Sequence, residues 1–460
     1  MTEIRSDIFH TYDIRGIYNE ELKDQDAAII GRGAAAFFTN HGVKRVIVGR
    51  DNRLSSPILA EILIKSLLES GCEVVDLGIV LTPMVYFSWY HLEANAAIMI
   101  TASHNPAKYN GFKLSLNKKP LMGADYQEIL KLCQEEKFYQ GKGRRETYNL
   151  WPAYLEQIKK SISLKRNMRV VIDCGNGTAS LFAPEILKAL GCVVISLNCE
   201  SDGSFPHHDP YPQKVEYYNE LRAKIKENQA DLGLAFDGDG DRLGVYDDQG
   251  NFVENDRLAM IFAQDICQKN PGAKVVMNIS TSLAVSDYIE KGGGQFILWK
   301  TGYPNITEKM NEVGAIFGGE ISGHFFFKDR YFGYDDALYA GFRALEIASG
   351  SDRPFSELVA ALPRYFETRE VRIEVPGGKD KFAITQLIAE EIKREYPESE
   401  ILDFDGIRFA FTDGWGLIRP SNTESIIGTR AEAKTPEKLA EIKSLISNKL
   451  KAFGLNFNWE

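Results

Sequence analysis

Short apolar runs recur along this chain, and stretches with helical spacing separate them. Runs at 44–49, 73–78 and Ala96–Ile100 are short, rich in branched residues and bounded by polar or glycine positions, which predicts strands. A helix is predicted to start near Ser55 and Ser56, with Pro57 in its first turn, where a missing N–H is harmless. A second unit repeats the pattern with a strand over 168–173, a helix around 182–190, a strand over 193–197 and a closing run at Leu232–Phe236. A third runs from 274–279 through Trp299 to a glycine-flanked loop at Glu320. Each unit reads as a βαβ arrangement with its polar residues at strand ends. After about residue 365 the rhythm changes. A strand over 368–375 and a helix over 381–396 come first, then two more strands before Arg419 and a final helix over 436–453. Lys291-Gly292-Gly293-Gly294 predicts a helix-ending turn, since neither a helix start nor a P-loop lysine follows in register.

The chemistry gathers where these strands stop. Ala96–Ile100 runs into Thr101 to Lys113, TASHNPAKYNGFK. Side chains at the carboxyl end of a strand face the edge where open α/β sheets bind ligands. Ser103 is therefore a candidate nucleophile or phosphoryl carrier, and His104 and Lys113 are candidates for proton transfer or positive charge. On this stretch alone, a polar turn that merely shapes the chain explains it equally well.

Leu232–Phe236 runs into Asp237-Gly238-Asp239-Gly240-Asp241-Arg242. Carboxylates alternating with glycines can converge on one hard cation, because glycine permits the tight path. An EF-hand loop is excluded: it wants glycine at its sixth position and glutamate at its twelfth, where Arg242 and Asp248 stand. An empty acidic turn would crowd three like charges at a cost.

Two further loops suit a polyol phosphate. Gly319-Glu320-Ile321-Ser322-Gly323-His324 offers a carboxylate, a hydroxyl and an imidazole, which match sugar hydroxyls that both donate and accept. Arg419-Pro420-Ser421-Asn422-Thr423-Glu424 offers a planar donor fork with hydroxyls and an amide around it, a cradle for phosphate. A polar turn between strands is the plain alternative there. His207 and His208 lie between Pro206 and Pro210 and read as a surface loop, not a metal pair. Asp335 and Asp336, before a helical run starting near Ala337, read as helix-capping residues.

A chain of 460 residues has room for about three or four domains. With 54 basic against 64 acidic residues the formal charge is −10, which argues against nucleic acid as partner. An anionic substrate then needs local cations, and Arg15, Lys113, Arg242 and Arg419 are the candidates. The N-terminus lacks a signal-peptide core and no run reaches the length of a membrane span. The six cysteines are scattered with no CxxC pair, so they read as reduced thiols of a cytoplasmic protein.

Taken in order, with Tyr12-Asp13-Ile14-Arg15-Gly16 as an entry motif, these motifs resemble the α-D-phosphohexomutase family, in its phosphomannomutase/phosphoglucomutase branch. The resemblance covers the whole chain. It implies three tandem α/β domains with mixed sheets and a smaller C-terminal α+β domain around a central cleft. The expected divisions are a phosphoserine domain at 1–150, a metal domain at 151–252, a sugar domain at 253–365 and a phosphate-binding domain at 366–460. The resemblance further implies that Ser103 carries a phosphoryl group and joins Asp237, Asp239 and Asp241 around Mg2+. Arg242 would steady that site. Tyr12, Thr301, Gly302, Tyr303, Glu320, Ser322 and His324 would meet the sugar, and Arg419, Ser421, Asn422 and Thr423 its distal phosphate. Lys113 and His324 would do acid/base work, with Arg15 and His104 close to the transferring group.

The implied reaction interconverts hexose 1-phosphate and hexose 6-phosphate through a 1,6-bisphosphate that turns end over end. Glucose or mannose 1,6-bisphosphate would be the activator, and no obligate protein partner is implied. A domain swing about a hinge near residue 365 would accompany the turn. Many members of this branch have histidine where Lys300-Thr301-Gly302 is followed here by Tyr303, which leaves mannose against glucose open. A metal-dependent sugar phosphatase and a non-catalytic sugar-phosphate binding protein are the alternatives.

Overall fold

The computed structural model describes residues 4–377, 379–421 and 425–459. Asn422 and Thr423 therefore lie outside the described residues. Four sheets follow one another along the chain. In the first, Arg45–Arg50, Glu73–Ile79, Ala96–Ile100 and Arg144–Thr147 run parallel, while Tyr109–Leu116 lies antiparallel beside Ala96–Ile100 and pairs in turn with Ile14–Ile17. The second sheet is built on parallel Arg169–Asp173, Val193–Leu197 and Leu232–Phe236, with Leu243–Tyr246 turning back antiparallel. The third has Lys274–Asn278, Gln295–Trp299 and Phe317–Gly319 parallel and Phe325–Phe327 antiparallel. The fourth is antiparallel throughout and carries the helices Lys381–Glu395 and Pro436–Ala452. Three mixed α/β sheets and a smaller α+β unit are what the apolar pattern and the resemblance implied.

The strand runs appear close to where they were expected, because short β-branched stretches buried on both faces have few alternatives. Ser56–Glu69 starts with Pro57 in its first turn, and Lys291 ends a helix at Gly292. Two readings need correction. The strand expected over 368–375 is two, Phe366–Glu367 and Val371–Glu374, both paired with Ile426–Ala433. Arg419 and Pro420 belong to the strand Gly414–Pro420 and not to a turn between strands. Pro420 ends the strand, beyond its pairing with Ile407–Phe411, so no ladder bond on that side needs its N–H.

The first three units share a continuous apolar core that reaches from Ile47 to Leu362. The first unit adds a core under its outer helices, and the C-terminal unit keeps its own, centred on Ile388, Ile407, Phe409 and Ile442. A polar latch joins that unit to the third. Arg408, buried and flat against Trp415 at 3.7 Å, donates to the carbonyls of Ile279 and Thr281. Arg430 donates to Ser280 O at 2.7 Å and to Asp256 and Glu367. Among the described residues, no helix is long and apolar enough to cross a membrane.

Candidate active site

Ser103 stands just beyond Ala96–Ile100, in a backbone conformation rare for a non-glycine residue, with φ +50°. Such a residue costs on the order of 1 kcal/mol and persists only where its surroundings hold it. Here Thr101 Oγ1 accepts from its N–H at 2.8 Å, and a turn closes from Asn105 N to Ala102 O. Ser103 Oγ donates to Asp237 Oδ2 at 2.9 Å, across the boundary between the first two units. Gly238 makes the approach possible, since a Cβ there would lie 2.5 Å from Ser103 O.

Asp237, Asp239 and Asp241 are fully buried and bring carboxylate oxygens within 4.8 Å of one another. Asp237 Oδ1 accepts from the N–H groups of Gly240, Asp241 and Arg242, which curls the loop around it. Asp239 Oδ2 accepts from Thr82 Oγ1 at 2.6 Å and from Lys113 Nζ at 2.7 Å. Lys113 also reaches Asp241 Oδ2 at 2.5 Å. Among the described residues, Asp239 Oδ1 and Asp241 Oδ1 have no hydrogen-bond partner. Burial, then Asp241 and Asp239, push Asp237 well above the usual carboxylate range. Burial would raise Asp241 too, but Lys113, His324 and Arg242 hold it below that range. Oxygen-only donors, crowded charge and two orphaned oxygens fit a hard divalent cation.

A relay of side chains leads away from Ser103. His104 Nδ1 lies 3.2 Å from Ser103 Oγ, and its Nε2 faces Arg242 at 3.3 Å. Arginine can only donate, so His104 carries its proton on Nδ1 and offers it to Oγ. Burial, reinforced by Arg242, Arg15 and Lys113, holds this imidazole well below its ordinary pKa. In this arrangement His104 is a neutral donor to the serine. Arg242 Nε donates to His324 Nε2 at 3.0 Å, and His324 Nδ1 faces Asp335 Oδ2 at 2.8 Å. Burial opposes a charged His324, but Asp241 and Asp335 raise its pKa.

Lys113 is set between two of these carboxylates. Burial works against its ammonium, but Asp239 and Asp241 overturn that and hold its pKa well above the usual value. So paired, its ammonium sits as a cation among the carboxylates. Arg15 approaches from Ile14–Ile17, donating to Asn105 Oδ1 at 2.6 Å and pairing with Asp13.

The loops around 301–303 and 319–324 close the other side. Glu320 Oε1 accepts from Gly302 N at 2.7 Å, and Ser322 is half-buried in the same turn before His324. Burial raises Glu320 above its ordinary pKa. Tyr12 OH donates to Thr301 O at 2.8 Å and accepts from Asn305 Nδ2 at 3.0 Å. Gly302 has φ +117°, and a Cβ there would meet the Tyr12 ring at 2.6 Å. Gly302→Ala is expected to destabilise the protein by about 1–3 kcal/mol and to lower kcat/KM at least tenfold. Urea unfolding with steady-state kinetics checks both. Tyr303 turns away from solvent: its ring packs 6.1 Å from His324 and its hydroxyl donates to Tyr12 O at 3.3 Å.

From the fourth unit, Arg419 lies 3.9 Å from Asp405, whose Oδ2 accepts from Thr301 N at 2.9 Å. Ser421 is buried and its N–H donates to Ile426 O.

Sequence reading missed Thr82, Arg53 and the part played by Asp335. Of the two adjacent aspartates read as helix caps, only Asp336 caps, accepting from Tyr339 N at 2.9 Å, while Asp335 turns to His324. His207 is exposed as expected, but His208 folds inward, 3.4 Å from Asp173.

Models of phosphoglucomutase/phosphomannomutase domains match in order: alpha/beta/alpha domain I at 6–140, domain II at 152–250, domain III at 254–366 and the C-terminal domain at 370–449. The chain is 42% identical to the phosphomannomutase/phosphoglucomutase of Pseudomonas aeruginosa over 97% of its own length and 96% of that protein's. It is 42% identical to the phosphoglucomutase of Neisseria gonorrhoeae over 96% of each. Among solved structures, a phosphoglucomutase/phosphomannomutase family protein of Burkholderia thailandensis superposes with a TM-score of 0.91 at 35% identity, covering 99% of this chain and 100% of that one. With all four domain models in sequence and relatives alike from end to end, the chain belongs to the phosphoglucomutase/phosphomannomutase family.

Proposed function

We propose that this protein interconverts hexose 1-phosphates and hexose 6-phosphates, of mannose, glucose or both, by passing a phosphoryl group through Ser103. The observation that carries the reading is Ser103 Oγ at 2.9 Å from Asp237, with Lys113 and Arg242 bound into the same cluster. A nucleophile alone would suit many reactions. A nucleophile among three carboxylates and several cations suits a group that is itself highly charged.

The expected division of labour among the domains fits this reading. The first, 1–150, carries the phosphoserine; the second, 151–252, holds the cation; the third, 253–365, reads the sugar; the fourth, 366–460, grips the distal phosphate. Asp237, Asp239 and Asp241 would hold Mg2+, together with an oxygen of phosphorylated Ser103. When bound, the ion supplies positive charge against the transferring phosphoryl oxygens.

The protein's own residues do the rest. Arg15, Lys113 and Arg242 neutralise the phosphoryl group, and Arg419 and Ser421, with Asn422 and Thr423, hold the sugar's existing phosphate. Glu320 and Ser322 hydrogen-bond the sugar hydroxyls. In the first half, the P–O bond to Ser103 Oγ breaks and a P–O bond to the sugar hydroxyl forms. The hydroxyl proton passes to His324 Nε2, which Arg242 must release to turn toward phosphate. His104 Nδ1–H stabilises the charge left on Oγ. The 1,6-bisphosphate then reverses, Oγ takes its other phosphoryl group, and His324 returns the proton to the sugar oxygen freed. Glucose or mannose 1,6-bisphosphate primes the serine. A swing of the fourth domain about the segment near residue 365 would accompany the turn, and it would have to release the hold of Arg408 and Arg430 on residues 279–281.

The test is turnover of mannose 1-phosphate and glucose 1-phosphate with magnesium and a trace of bisphosphate, with free phosphate measured in parallel. Isomerisation without phosphate release supports the mutase. Release matching substrate loss points to a phosphatase, and binding without turnover to a binding protein. The Pseudomonas relative is named for both sugars and the Neisseria one for glucose alone. Tyr303→His is expected to shift the ratio of the two kcat/KM values about 3- to 10-fold. An unchanged ratio removes Tyr303 from the account of sugar preference.

A further inference from the structure

Arg53 follows the strand Arg45–Arg50 and has no accessible surface. Its Nε donates to Asp51 Oδ2 at 3.0 Å. One terminal nitrogen donates to the carbonyls of Pro106 at 2.7 Å and Tyr109 at 3.0 Å. The other donates to the carbonyls of Ser103 and Asn105, each at 2.7 Å. All five of its N–H groups are spent, four of them on a single loop. That loop carries Ser103 in its left-handed conformation. Four carbonyls turned inward on one point repel each other and need a cation to hold them. Asp51, which also accepts from Ser56 Oγ, keeps that cation in place.

The same short segment reaches the cation-binding side. Asn52 Nδ2 donates to Asn176 O at 2.7 Å and Ser201 Oγ at 2.9 Å, and Asn52 N donates to Thr178 Oγ1 at 3.2 Å. Thr178 N in turn donates to Gly238 O at 2.9 Å, inside the carboxylate loop. Phe205, from the second domain, covers the Arg53 guanidinium at 5.0 Å. Residues 51–53 therefore grip both the serine loop and the turn on which the carboxylate loop rests.

We infer that Arg53 is a positioning residue for phosphoryl transfer: its guanidinium sets the serine loop so that Ser103 Oγ meets the cation-binding carboxylates. It touches neither the substrate nor the reacting atoms. The inference rests on Ser103 being the phosphoryl carrier. A displacement of about 1 Å at a reacting group costs on the order of 100-fold in rate, while a substrate held by other residues binds as before.

Arg53→Lys keeps the charge and loses the fork. Arg343→Lys serves as the control, because Arg343 is equally buried and pairs with Asp329 and Asp265, away from the site residues. Each variant is measured for thermal midpoint, for kcat and KM separately, and for the rate at which glucose 1,6-bisphosphate phosphorylates the peptide containing Ser103. Arg53→Lys is expected to lose about 100-fold in both kcat and phosphorylation rate, with KM within about twofold. Arg343→Lys is expected to lose stability alone. Asn52→Ala, a milder change at a half-buried position, is expected to lower kcat about tenfold and covers the case in which Arg53→Lys does not fold. A loss in Arg53→Lys no larger than in Arg343→Lys, a loss confined to KM, or an Asn52→Ala enzyme with full kcat would overturn the inference. Wild-type turnover with no phosphoryl group on Ser103 would instead defeat the reading on which it rests.

Discussion

Ser103→Ala is expected to lower mutase turnover by about four to six orders of magnitude while leaving the fold and sugar-phosphate binding intact. The contacts that hold the loop are backbone contacts: Thr101 on the Ser103 N–H and Arg53 on its carbonyl, and alanine keeps both. What disappears is Oγ, the one atom that stands between Asp237 and His104. His104 does not replace it, because its Nε2 is occupied by Arg242 and its Nδ1 proton points toward the serine. Lys113 does not replace it, because two carboxylates keep it charged. Steady-state kinetics with a circular dichroism check reads the result. Turnover within tenfold of wild type would mean that another group carries the phosphoryl.

Asp237→Asn carries the second large effect. The amide oxygen can still accept the three loop N–H groups that Asp237 Oδ1 accepts now, so the loop keeps its shape. One of three carboxylates that crowd within 4.8 Å loses its charge. On the proposed reading the cation loses a ligand and the phosphoryl group part of the positive charge that ion supplies, so turnover is expected to fall about 100- to 1000-fold and more magnesium to be needed for half-activation. The apo protein behaves in the opposite sense. Asparagine removes a carboxyl that burial, Asp241 and Asp239 already push well above the usual carboxylate range, so the thermal midpoint in chelator is expected at or above that of wild type. A magnesium titration of activity and a melt in EDTA check the two halves separately. A midpoint well below wild type would mean that the Asp237 carboxylate supports the fold and does not merely burden it.

The parts of the site that could be read from the sequence are those in which one short segment carries its own geometry. Ala96–Ile100 stops at Ser103 because an apolar strand meets a polar turn, and both halves of that signal are local. Asp237 to Arg242 folds on itself through its own N–H groups, so its spacing announces its shape. What stayed hidden depends on segments far apart in the chain. Thr82 touches Asp239 across 157 positions, and Arg53 reaches its loop carbonyls across about 50. Nothing near Arg53 marks it except its place beyond a strand end. Asp335 and Asp336 look alike in sequence, yet only the second has an N–H within reach to cap. Tyr303 lies on the loop expected to meet the sugar, and its hydroxyl ties the third domain to Tyr12 of the first across 291 positions. Its ring stacks beside His324, with centroids 6.1 Å apart.

The measurement that bears most directly on the central claim is a phosphoryl chase. The protein is phosphorylated with labelled glucose 1,6-bisphosphate, freed of small molecules, and given unlabelled glucose 1-phosphate or mannose 1-phosphate for a single turnover. The account predicts label on the peptide that contains Ser103 before the chase and on the sugar bisphosphate or 6-phosphate after it, with none released as free phosphate. Label that never enters Ser103 while the enzyme turns over, or that stays on Ser103 through the chase, would contradict it.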